Sequence, residues 1–301
     1  MNSLIMLIGL PASGKTSYAQ EMKKRYGEEL EIISSDAIRK ELFGSEEEQK
    51  YNDKVFNEVF HRTKKSILKN KITIIDSTNL SRKRRIAFLK QFNNCEKRAT
   101  VFAIPFEVCC ERNNSRERIV PQCAMDRMFK SFQPPAYEEG FNEINIITWG
   151  GDKTTLEDIL DRNEIPHDNH HHTLNCRAHC IAAEAIAREI SKREKLPVDD
   201  TVLLTIAARY HDIGKFMCKT FFDYKGNSTK EAHFYSHQNV SAYLFLCYDV
   251  DLCIKEKVFV ANLIYHHMDF YIRDFKIEKM LFNKDFKKFL RLLNESDKDA
   301  H

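Results

Sequence analysis

The chain has 301 residues, 43% of them apolar and 30% charged, with a formal net charge of +3. That length suits about two domains, each able to bury its own core. No window approaches the roughly 18 unbroken apolar residues of a membrane span, and nine cysteines without a C-x-x-C pair exclude a disulfide frame or a cysteine-based zinc site. The cysteines are expected to be reduced and mostly buried in a cytoplasmic protein. Because Met1-Asn2-Ser3 leads straight into an apolar run, no leader is expected. Residues 1–150 carry 25 Lys and Arg against 20 Asp and Glu, the remainder 22 against 24, and eleven of the twelve histidines follow residue 160. Two chemistries in two halves is the simplest account.

The first element is a strand, Leu4-Ile5-Met6-Leu7-Ile8, running into Gly9-Leu10-Pro11-Ala12-Ser13-Gly14-Lys15-Thr16. This fits the phosphate-binding pattern G-x-x-x-x-G-K-[ST] between a strand and an amphipathic helix. Its glycines let backbone N–H groups converge on phosphate oxygens at a helix N-terminus, so Gly9, Ala12, Ser13 and Gly14 are candidate ATP contacts. Lys15 is expected to neutralise the β/γ-phosphates, and Thr16 to offer its hydroxyl to Mg²⁺. Further strands are predicted at 30–35, 71–76, 99–104 and 144–148, alternating with helices near 15–26, 50–69, 81–93, 106–113 and 121–132. Such alternation specifies a parallel sheet covered on both faces, with chemistry at the C-terminal strand ends.

Asp76 ends one strand, where it serves either as an Mg²⁺-side carboxylate or as a helix N-cap. Asp36 likewise either caps the helix opening at Ala37 or stands as the base for an acceptor hydroxyl. Arg39, one turn on, shares its helix face and is suited to an anionic acceptor. Arg112 and Arg116 belong to a basic cluster after a helix, read either as a phosphate-closing lid or as a solvated charge run. Lys83, Arg84 and Arg85 are either a helix face or a nucleic-acid backbone contact.

Gly150-Gly151 breaks this pattern, and the division is expected as residues 1–150, a linker at 151–165, and a second domain at 166–301. The second half reads as nearly all helix, at 176–193, 201–211, 236–248, 252–267 and 285–296. His211 and Asp212 close an apolar helix side by side and can reach one metal. His179, His237, His266, His267 and Asp297 come from other helices, and this nitrogen and carboxylate set suits a borderline or hard transition metal in a bundle core. Asp299 competes with Asp297, which follows Leu292-Leu293 at helical spacing. His170, His171 and His172 are either a phosphate contact or a solvated run.

The Gly9–Thr16 loop, Ser35-Asp36-x-x-Arg39, Asp76-Ser77-Thr78-Asn79-Leu80, Arg112-Asn113-Asn114-Ser115-Arg116, Val120-Pro121 and Arg127-Met128-Phe129-Lys130-Ser131 together resemble bacteriophage-type 5′-OH polynucleotide kinases. The resemblance implies Asp36 as general base, Arg39 on the acceptor phosphate and Arg116 on the transferring phosphates. Small-metabolite P-loop kinases share much of this set. The order H…HD…H…HH…D resembles the HD phosphohydrolase superfamily, which implies one to three divalent metals (Mn²⁺, Ni²⁺, Co²⁺ or Fe), phosphoester hydrolysis, Asp212 bridging metals and Lys215 on phosphate.

The joined modules resemble end-healing enzymes. The resemblance implies ATP and nucleic acid as partners, RNA ends before DNA ends, with an RNA ligase acting downstream. A nucleoside or metabolite kinase fused to an HD nucleotidase is the alternative. The expected fold is therefore an α/β P-loop kinase domain followed by an all-α HD domain.

Overall fold

The computed structural model describes residues 2–46, 50–151, 153–169 and 173–300, so Met1 and the run His170 to His172 lie outside it. It divides into two compact units, one of residues 1–125 and 135–147, the other of 126–134 and 148–301.

The first unit follows the predicted alternation: β1 (Ser3–Gly9), α1 (Lys15–Tyr26), β2 (Leu30–Ser34), α2 (Ser35–Phe43), α3 (Asn52–Leu68), β3 (Ile72–Asp76), α4 (Arg82–Leu89), β4 (Glu96–Ala103), α5 (Phe106–Asn114), α6 (Gln122–Lys130) and β5 (Glu143–Thr148). The sheet order is β2-β3-β1-β4-β5, with β1 parallel to both β3 and β4. Every residue of β1 is buried, as its unbroken apolar run requires at the centre of a sheet covered on both faces. The order reverses at β1, so the loop after it opens at the switch point where ligands bind in such sheets.

The basic run on α4 resolves by burial. Arg85 is 1% exposed, and its Nε and Nη2 each donate to Glu139 at 2.7 Å. Its Nη1 donates to the carbonyls of Asn79 and Leu80 at 3.0 Å, tying down the loop after β3. Arg85 is therefore a structural ion-pair partner and not a surface contact for nucleic acid, while Arg84 lies over the Phe56 ring. Removing one partner of a buried pair strands the other charge. Arg85→Ala is expected to cost about 3–5 kcal/mol in unfolding free energy, whereas the double change Arg85→Met with Glu139→Leu is expected to cost far less. Denaturant titration of the three proteins checks this.

The second unit contains α7 (Leu156–Asp161), α8 (Cys176–Arg193), α9 (Val198–Tyr210), α10 (Lys215–Cys218), β6 (Thr220–Phe222), β7 (Ser228–His233), α11 (His237–Cys247), α12 (Ile254–His266) and α13 (Lys284–Asp299). The antiparallel β6–β7 hairpin falls in a stretch for which the sequence pattern predicts no element. The segment 126–134, expected with the first domain, packs into this unit. Phe129 and Phe132 meet Tyr243 edge-on, and Asn239 Nδ2 donates to the Phe132 carbonyl at 2.9 Å. No described helix is long and apolar enough to cross a membrane.

Candidate functional site

In the first unit the loop after β1 turns through two left-handed residues, Ala12 (φ 60°) and Gly14 (φ 98°). A Cβ on Gly9 would stand 2.9 Å from Ser13 Oγ and 3.0 Å from the Phe102 carbonyl, so only glycine allows this close approach. The result is a concave run of backbone N–H groups at the start of α1, an anion-binding geometry. Lys15 is buried and donates to the Leu10 carbonyl (2.5 Å) and Ser13 Oγ (3.2 Å) of its own loop. Burial pushes its pKa down to about 8, against a partial opposing pull from Asp76. Thr16 Oγ1 donates to Asp76 Oδ2 at 2.8 Å, and burial raises the Asp76 carboxyl above its ordinary range.

Two sequence alternatives are separated here. Ser34 caps α2 by accepting from the Ala37 N–H, so Asp36 sits in the first turn with its carboxylate directed elsewhere. Asp76 is not a helix cap either, because α4 begins only at Arg82 behind Ser81. Arg39, 5% exposed, donates to Asp36 at 2.5 Å and to Asn52 at 3.0 Å, while its buried Nε has no hydrogen-bond partner. Asp36 and Arg116 are close enough for their charges to act on Lys15. Arg112 is half-buried in the last turn of α5, and Arg116 is exposed in the turn beyond. The arginine of this loop that reaches Asp36 is Arg118, at 3.1 Å, and it also bonds Glu46 at 3.0 Å. Sequence reasoning missed Arg118, although it lies in the same basic cluster. Asn113 closes the loop by exchanging two hydrogen bonds with the Val120 backbone.

In the second unit six side chains converge. His179, His211, Asp212 and Asp297 form one group, and Asp212, His237 and His267 another, all buried. Each histidine Nδ1 lies 2.6–2.8 Å from a backbone carbonyl, those of Ala300, Ala208, Phe234 and Ile264 respectively. A carbonyl only accepts, so every Nδ1 carries a hydrogen, and in the singly protonated ring that a metal requires each Nε2 presents a lone pair. These lone pairs face one another, 3.3 Å apart for His179 and His211 and 3.2 Å for His237 and His267. Facing acceptors repel unless a cation lies between them. Metal–nitrogen bonds of about 2.0–2.1 Å place neighbouring ligand nitrogens at about this separation.

Asp212 stands between the groups, with Oδ2 3.3 Å from His211 and Oδ1 3.1 Å from His237. Its buried Oδ1 has no hydrogen-bond partner, as expected of an oxygen reserved for a cation. Burial alone would raise the Asp212 carboxyl, yet His211, Lys215 and His237 hold it well below the usual range. Burial likewise opposes charge on His211, but the carboxylates of Asp212 and Asp297 outweigh it and raise its pKa to about 10. The centre demands positive charge, and its donor set fits divalent metal.

His266 is not brought into either group. One residue around the helix from His267, its Nδ1 turns to Asp269 Oδ2 at 2.6 Å and its ring packs against Phe282 and Phe286. Two residues beyond the predicted set, His167 and Tyr271, are drawn in. Lys215 Nζ lies 2.6 Å from Asp212 Oδ2 and donates to His167 Nε2 at 3.0 Å. Tyr271 donates to Asp297 Oδ2 at 3.4 Å. His167 lies ahead of α8, and Tyr271 ends the short helical turn that His267 opens. Gly214 packs so closely on α11 that a Cβ would stand 2.6 Å from the Ser241 nitrogen.

Two family models match separate parts of the chain. Residues 4–135 match the AAA domain family and residues 177–300 the HD domain family. The chain joins a kinase-type P-loop domain to an HD domain, folds that imply ATP with Mg²⁺ and a divalent metal respectively. A protein of Acanthamoeba polyphaga mimivirus assigned as a bifunctional polynucleotide phosphatase/kinase is 28% identical over 165 residues, 52% of this chain and 35% of that protein. The match thus spans about a third of that relative's length. Among solved structures, a chain of the Pnkp1/Rnl/Hen1 complex matches 40% of each chain at 21% identity, with a TM-score of 0.34. A gluconokinase from Sinorhizobium meliloti matches 50% of this chain and 85% of its own at 16% identity, with a TM-score of 0.38.

Proposed function

We propose that the chain is a bifunctional nucleic-acid end-healing enzyme. It would phosphorylate 5′-OH ends from ATP and hydrolyse 2′,3′-cyclic or terminal 2′- or 3′-phosphates. The observation that carries this reading is the presence, in one chain, of a phosphoryl-transfer loop with Asp36 and Arg39 beside it and a buried His/Asp centre. The mimivirus relative, a polynucleotide phosphatase/kinase, supports the polymer substrate.

In the kinase half, backbone N–H groups at the start of α1 and Lys15 hold the triphosphate, with Arg112 and Arg116 over it. Thr16 and Asp76 would hold Mg²⁺. Asp36 takes the proton of the acceptor hydroxyl as its oxygen attacks the γ-phosphorus and ADP leaves. Arg39 holds the acceptor's first phosphate. In the HD half, His179, His211, Asp212 and Asp297 would hold one metal, and Asp212, His237 and His267 a second, with Mn²⁺, Ni²⁺, Co²⁺ or Fe as the matching class. Bound metal supplies Lewis-acid activation of water and charge neutralisation at the phosphoryl group. Lys215, positioned by Asp212 and His167, contacts the phosphate.

Short RNA with a 5′-OH and a 2′,3′-cyclic phosphate, incubated with ATP, Mg²⁺ and each transition metal, is expected to gain 5′-phosphate and 3′-OH by mass. Unchanged RNA alongside modified mononucleotides would overturn the reading. That small-molecule reading draws support from the modest basic excess of residues 1–150. Salt separates the two, since polymer binding falls steeply with ionic strength.

Lys15 supplies a pH test. In the free protein its charge is lost as pH rises through about 8. Bound phosphate restores the ammonium, so above that pH nucleotide binding takes up a proton. ATP affinity is expected to fall by up to about tenfold per pH unit between 8 and 10. Calorimetry in buffers of different ionisation enthalpy reads the proton uptake directly.

A further inference from the structure

We propose that the β6–β7 hairpin and the turn leading into α11 form a stacking platform for the bases of single-stranded nucleic acid whose 3′ end enters the His/Asp centre. This rests on the end-healing reading and deepens it by locating the surface that selects a polymer.

The hairpin is a two-stranded ribbon paired with no third strand among the described residues. Its large rings stay open: Phe222 is 55% exposed and Tyr224 80%, with Phe221 and Tyr235 above 40%. Two lysines accompany them. Lys225 Nζ lies 5.5 Å from the Tyr224 ring centroid, and Lys230 is exposed on β7. Of the two carboxylates on the hairpin, Asp223 is occupied by the turn, accepting from the N–H groups of Lys225 and Asn227 and from the Asn227 amide. Glu231 is the other. Lys219 is neutralised by Asp168 at 2.6 Å and counts toward neither. Flat exposed rings with ammonium groups beside them suit the bases and phosphates of a single strand.

The ribbon is also continuous with the centre. β7 runs into Phe234, whose ring lies 5.4 Å from Lys215 Nζ and 5.8 Å from the His167 ring. The Phe234 carbonyl accepts from His237 Nδ1 at 2.8 Å, so one turn carries both the end of the ribbon and a candidate metal ligand. Tyr235 sits in that turn, stacked on His233 at 5.2 Å and 16°. A strand lying on the hairpin therefore leads its terminal phosphate toward Lys215.

The test uses the full-length protein and a ten-nucleotide single-stranded RNA whose 5′ end is blocked by a fluorophore and whose 3′ end carries a phosphate. Binding is followed by fluorescence anisotropy in the presence of EDTA, and by competition with a 3′-mononucleotide. Tyr224→Ala and Phe222→Ala are each expected to weaken the oligonucleotide roughly tenfold and leave the mononucleotide unchanged, while Tyr224→Trp retains wild-type affinity. Tyr224 is so exposed that its truncation leaves the fold intact, and a thermal melt verifies this. Equal oligonucleotide affinity in wild type and both alanine variants overturns the platform and leaves the end-healing reading standing. Wild-type protein that binds mononucleotide but no oligonucleotide overturns both.

Discussion

Asp212→Asn is expected to lower phosphoesterase activity by about a thousandfold or more, because metal polarisation of the reacting group contributes several kcal/mol. The asparagine keeps the volume of the side chain but removes the charge that both histidine groups share. It also leaves the Lys215 ammonium without its 2.6 Å partner. Metal content by elemental analysis is expected to fall with the activity, whereas 5′-kinase activity is expected to persist. Loss of both activities in a folded variant would overturn the assignment of two independent sites.

Asp36→Asn provides the converse. A positioned general base contributes about a hundred- to ten-thousandfold, so kinase kcat is expected to fall within that range while phosphoesterase activity is retained. ATP affinity, measured without acceptor, is expected to change little, since the loop of residues 9–16 and Lys15 make the phosphate site. A comparable loss of ATP affinity would mean that Asp36 supports the loop rather than the acceptor. The paired contacts to Arg39 and Arg118 make this a meaningful control, because the asparagine keeps one acceptor oxygen for them.

Much of the architecture was legible because it rests on local chemistry. A buried apolar strand, a glycine turn needing positive φ, and a helix starting at Lys15 are properties of short contiguous stretches, and they appear where the pattern predicted. The pairing of Asp36 with Arg39 is also local, since three residues along a helix return to one face. The five ligand-bearing segments could be read for the same reason, with His179, His237 and Asp297 on helices and His211-Asp212 and His267 at helix ends.

What the sequence could not decide are matters of distance and direction. His266 and His267 are chemically equivalent neighbours, and only the packing of α12 turns one toward Asp212 and the other toward Asp269 and Phe282. Arg85 reads as a surface cation beside Lys83 and Arg84 until Glu139, 54 residues away, is seen to face it inside the fold. Arg118 and Arg116 are likewise two members of one charge run, and the return of the loop toward Asp36 selects between them. The β6–β7 hairpin carries too many exposed rings and too little alternation to read as a strand pair. By itself the sequence determined two domain classes, a phosphate loop and an inventory of ligating side chains. Tertiary packing decided which members of that inventory meet, because burial and side-chain direction depend on neighbours that are remote along the chain.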